Sequence, residues 1–81
     1  MATEYSDYKK SIIDFGYTAI TEEDIDVSSR VIVDIAIFRA DGSFMAFYKY
    51  SKKPSLNKGG YTVEFFKLND SNRYVIIAVE E

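Results

Sequence analysis

Four carboxylates fall within five residues at Glu22-Glu23-Asp24-Ile25-Asp26, the densest group of oxygen ligands in the chain. A calcium loop of the EF-hand kind needs oxygen ligands at alternating positions, glycine at the sixth and glutamate at the twelfth. Counting from Glu22 the sixth residue is Val27, and counting from Asp24 it is Ser29. Neither frame fits, so no metal and no cofactor is expected. The run reads instead as a charged turn, whose chemistry is docking onto cationic groups.

A second group has the opposite sign. Lys49, Lys52, Lys53 and Lys58 are interleaved with Tyr48, Tyr50 and Tyr61. Lysines that track a phosphate backbone beside rings that stack on bases are the ingredients of a single-strand nucleic-acid surface. The candidates for that reading are Tyr50, Lys52, Lys53 and Lys58. Lys58-Gly59-Gly60 is only a fragment of a phosphate-cradling turn, with no helix after it.

Covalent and acid–base catalysis find little here. The chain has no cysteine and no histidine, which removes Cys–His and Ser–His nucleophile pairs. Paired carboxylates for glycoside hydrolysis need a cleft, which a domain of this size seldom builds. The expectation is a non-enzymatic binding protein.

Charge is segregated along the chain. Residues 1–27 carry seven acids against two bases, residues 28–69 seven bases against three acids, and the remainder is net negative, for −3 overall. Two surfaces of opposite sign are therefore expected. In the leading reading, Glu22, Glu23, Asp24 and Asp26 dock onto another protein, one with a basic nucleic-acid-binding cleft being the best fit, and inhibit or regulate it. In the alternative, the basic aromatic stretch 48–61 binds single-stranded nucleic acid. An acidic chain, with pI near 4.9, weighs against the second.

The elements that must position these groups follow from periodicity. Tyr5, Tyr8, Ile12 and Phe15 recur at helical spacing, broadened by Ile13. Thr3 or Ser6 is the N-cap, Glu4 and Asp7 suit the positive helix end, and Gly16 suits its C-terminal stop, predicting a helix over 3–15. Residues 17–29 read as a loop, with one turn beginning at Thr21, where an acid follows three residues later.

From Arg30 the period becomes two. Val31, Val33, Ile35 and Ile37 share one face of a strand over 30–39, and Asp41-Gly42 predicts a two-residue type I′ turn into a strand over 44–51. That register sets Ile37 opposite Ala46, Ile35 opposite Tyr48, Val33 opposite Tyr50 and Asp34 opposite Lys49, the last a favourable charge pair. A long connection through Pro54 leads to strands over 61–68 and 73–79.

Eighty-one residues make one domain, which exposes much surface for its size. A composition 47% hydrophobic and 16% aromatic can still fill a core without disulfides. The fold class is α+β: an N-terminal helix packed on one face of an antiparallel meander of about four strands. This plan resembles that of small inhibitors, immunity proteins and phage-encoded regulators, a likeness of architecture alone. Val31, Val33, Ile35 and Ile37 are expected beneath Tyr8, Ile12 and Phe15. The opposite face, with Ile32, Phe38, Met45 and Phe47, is apolar enough to need cover from the 17–29 loop or a partner.

In a meander, Arg73–Val79 is an edge strand, and so apolar an edge invites pairing with another copy. A homodimer, or a structural homo-oligomer, is the third reading. The alternative is that this strand lies inside the sheet. No apolar run is long enough to span a bilayer and no apolar signal segment opens the chain, so the expected location is cytoplasmic, without membrane contact.

Overall fold

A computed structural model describes residues 3–25, 30–55 and 58–81. Helix α1 spans Glu4–Phe15, and Thr3 is its N-cap, accepting a hydrogen bond from the Ser6 amide at 3.1 Å. It stops at Gly16, whose N–H reaches back to the carbonyls of Ile12 and Ile13. Among the described residues five strands follow: β1 Tyr17–Ile20, β2 Ile32–Phe38, β3 Phe44–Tyr50, β4 Tyr61–Leu68 and β5 Arg73–Glu80. Thr21 and Asp24 close a capping box around a single 3-10 turn at Glu22–Asp24. No helix among the described residues is long and apolar enough to cross a membrane.

The strands form one sheet in the order β1-β4-β5-β2-β3. The sheet is mixed: β5 runs parallel to β2 and antiparallel to β4. This corrects the four-stranded antiparallel meander in three ways. A fifth strand, β1, lies within the expected 17–29 loop, β5 is the central strand, and the open edges are β1 and β3. The continuous apolar run Tyr74-Val75-Ile76-Ile77, buried throughout, is what a strand covered on both faces requires.

Helix α1 packs on the face made by Ala36, Phe38, Phe66, Val75 and Ile77, to which it adds Tyr5, Tyr8 and Ile12. The expectation placed it on the other face. Phe38 explains the choice, since its ring meets Tyr5 edge-on and Tyr8 at a tilt, both at 5.8 Å, and Phe44 edge-on at 6.0 Å. Tyr5 also donates its phenol hydrogen towards Glu64, which accepts from Lys9 Nζ at 3.1 Å and ties the helix to β4. Phe15 is not in the core. It is 73% exposed, its ring 6.1 Å from that of Tyr17.

Val31, Val33, Ile35, Tyr74 and Ile76 make the second face, covered by Ile25 from the turn after β1. That part of the expected loop cover is present, on the face opposite to the one foreseen for it.

The β2–β3 hairpin turns by a different device from the type I′ loop. Gly42 N–H bonds Arg39 O and Arg39 N–H bonds Ser43 O, both at 2.8 Å, so the loop has three residues, Ala40 to Gly42. Only Gly42 of these has positive φ, at 89°. An irregularity between Ile37 and Phe38 then restores the count, and all four predicted cross-strand registers hold, although Asp34 and Lys49 make no ion pair.

Gly42 also touches the helix. A Cβ there would lie 2.7 Å from Thr3 Cβ, whereas one at Gly60, with a similar φ of 83°, would meet nothing within 4 Å. Gly42→Ala is therefore expected to cost about 2–3 kcal/mol, and Gly60→Ala only the backbone part, about 1 kcal/mol. Urea unfolding of the two variants checks this; equal losses would contradict a helix–turn contact.

Candidate protein-binding edge

The expected acidic surface and the expected basic loop meet each other. Ile25 and Val31 of one connection, and Pro54, Ser55 and Lys58 of the other, lie at the second face, and Glu22 joins the two. Its carboxylate pairs with Lys58 Nζ and lies 3.8 Å from Lys53 Nζ, which also donates to the Glu22 carbonyl at 3.3 Å. The Lys58 hydrogen bond, followed by the charges of both lysines, holds the Glu22 carboxyl below its ordinary value. Lys58 Nζ also sits 5.8 Å from the Phe65 ring centroid.

The remaining acids have separate places. Asp24 accepts from the Thr21 amide at 3.0 Å and hydroxyl at 3.1 Å, and these bonds hold its carboxyl low. Glu23 is exposed, and Asp26 lies outside the described residues. Among the described residues no three carboxylates gather as a metal site would require. Tyr50 and Lys52 are exposed at the end of β3 and just beyond it.

The larger unclaimed surface is β3 itself. Phe44, Phe47, Tyr48 and Tyr50 are between 40% and 50% exposed, on a strand with one neighbour among the described residues. Pairing with β2 puts Phe47 and Lys49 on the helix face, opposite Ala36 and Asp34, and Ala46, Tyr48 and Tyr50 on the second face. At the hairpin end Phe44 is already engaged, its N–H by Glu4 at 3.2 Å and its C=O by Arg39 at 2.8 Å. The stretch past the irregularity, Ala46–Tyr50, is regular and open.

Behind it, Tyr48 and Tyr50 join Ile35, Ile37, Ile76 and Pro54 around a depression of about 280 Å³. Of these residues, the sequence placed Tyr48 and Tyr50 in the basic aromatic stretch and marked Tyr50 as a binding candidate. The available signal was aromatic or apolar residues on both faces of one strand, which mark an exposed edge only once the strand order is known.

On the helix face, Asp34 adds an electrostatic feature. Among the described residues its buried Oδ1 has no hydrogen-bond partner, and Lys49, directly opposite, takes part in no ion pair. Burial, and then the charge of Asp34, push the Tyr8 phenol up to about 12.

Two outcomes are expected. Asp34→Val removes an unsatisfied buried acceptor and suits a strand, so stability should rise by about 1 kcal/mol. The Tyr8 phenol should titrate lower in this variant, read by its ultraviolet ionisation; an unmoved titration would contradict the placement. The second outcome concerns acid. Because Glu22 is held below its ordinary value of 4.5, its pairing stabilises the fold above that pH and is lost as pH falls below it. Amides near Lys53 and Lys58 should lose hydrogen-exchange protection in that window, while those of Glu22→Gln should show no such step.

Comparison with protein-family models, curated proteins and solved structures finds no match to this chain.

Proposed function

We propose that this chain is a non-enzymatic protein-binding module that captures an extended segment of a macromolecular partner along β3 and so inhibits or regulates it. One observation carries the reading: a regular edge strand with exposed aromatic residues on both faces and a depression beside it. Strand addition draws affinity from main-chain hydrogen bonds and selectivity from pockets for alternate side chains. Edges not meant for pairing are blunted by charge, proline, bulges or shortness. The other edge, β1, has four residues, whereas β3 has seven, with a single lysine and an irregularity confined to the hairpin end.

The docking role first considered for Glu22, Glu23, Asp24 and Asp26 is reduced by the pairing of Glu22 with Lys53 and Lys58. Glu23 is left as a charged contributor at a distance from β3. The same pairing takes Lys53 and Lys58 from the nucleic-acid reading, leaving it Tyr50, Lys52 and Lys49.

Affinity capture from an extract of the native host, with nuclease, separates these readings. Tyr48→Lys should weaken capture of a specific protein about tenfold or more, as loss of an aromatic anchor does, and Glu23→Lys should leave it intact. Capture that ignores Tyr48→Lys but fails with Glu23→Lys would move the site to the acidic turn. Capture that nuclease abolishes would mean nucleic acid.

A further inference from the structure

We infer that in the absence of another partner β3 pairs with β3 of a second copy, antiparallel about a two-fold axis through Tyr48, and that this self-pairing closes the binding edge. The inference rests on the reading of β3 as the binding edge and adds what regulates access to it.

A two-fold axis normal to the sheet keeps each side chain on its own face, so the axis must pass through a residue pair of like number. The middle of the strand offers Phe47 or Tyr48. Centring on Phe47 draws Phe44 and Met45 into the pairing, where the β2–β3 register shifts and the Phe44 backbone is bonded to Glu4 and Arg39. Centring on Tyr48 uses only Ala46–Tyr50, the regular open stretch.

That register is self-complementary. Tyr48 meets Tyr48 of the partner subunit, Ala46 lies opposite the partner's Tyr50, and Lys49 lies opposite the partner's Phe47. Small thus faces large on the second face, and a cation faces a ring on the helix face. Each Lys49 that loses water has Asp34 beside it on β2, with its unpartnered Oδ1. The Lys52 pair falls at opposite ends, about 27 Å apart at strand rise and beyond the screening length.

Size sets the strength. Phe47, Tyr48 and Tyr50 are 46%, 50% and 40% exposed. At about 200 Å² per ring residue they offer roughly 270 Å² per copy, against about 800 Å² in a standard stable interface. Such a dimer forms and dissociates with concentration, so an extended partner segment can displace it.

The test is a dilution series of the intact chain from about 1 mM to about 10 μM, followed by sedimentation and by amide spectra. The mass should move from twice 9.3 kDa towards 9.3 kDa on dilution. Shift changes should centre on Ala46–Tyr50, and a mixed labelled and unlabelled sample should show an intermolecular contact between Ala46 and Tyr50. Tyr48→Lys, and independently Phe47→Asp, should weaken association at least about tenfold while the spectrum stays folded. Ile13→Lys, at an apolar site 47% exposed on the helix, should leave it unchanged. A chain monomeric at about 1 mM, or a dimer lost with Ile13→Lys and kept with Tyr48→Lys, overturns the inference. Partner capture at high dilution is judged separately by its own variants, so the two readings can fail independently.

Discussion

The position of β5 at the centre of the sheet is the constraint from which the remaining architecture follows. A strand flanked on both sides, buried from Tyr74 to Ile77, obliges the chain to cover two sheet faces instead of one. The helix covers one through Phe38, Val75 and Ile77. The second is left to irregular chain, with Ile25 as its buried anchor. Irregular cover needs fastening, and Glu22 supplies it by joining the two connections through Lys53 and Lys58. Placing β5 and β2 inside also leaves β3 outside. The open edge is thus a product of the same topology that fills the core.

Much of this was legible in the chain. The helix, with Thr3 as one of two cap candidates, the two-residue period of β2, and the bounds of β4 all follow from local chemistry. So do the pairs from Val33–Tyr50 to Ile37–Ala46, although the turn that produces them is a three-residue loop compensated by a register shift. What could not be read is non-local. β1 has four residues, of which Thr18 and Ala19 are exposed, so it carries too little pattern to stand out from the acidic run after it. The side on which the helix packs was misjudged because β2 is apolar on both faces. Alternation in Val31, Val33, Ile35 and Ile37 identified a buried face, but Ala36 and Phe38 formed another.

The candidate site was hidden for a related reason. Counting charge along the chain suggested two surfaces of opposite sign, yet chain distance is not spatial distance, and Glu22 meets Lys58 across 36 positions. Segregated charge became internal fastening. Arg73–Val79 was read as an apolar edge that invites pairing, with an interior position as the alternative, and the alternative is what the sheet order has. Moved to β3, the same physics leads to Phe47, Tyr48 and Tyr50.

Residue-resolved hydrogen exchange on a dilute sample tests this account most directly, because it reads strand order without reference to any partner. The amides of Tyr74–Ile77 should be among the slowest in the molecule, whereas alternate amides within Ala46–Tyr50 should exchange quickly, as unpaired edge groups do. Fast alternate exchange along β5 with uniform protection of β3 would place the open edge at the end of the chain, and β3 would offer a partner no free edge.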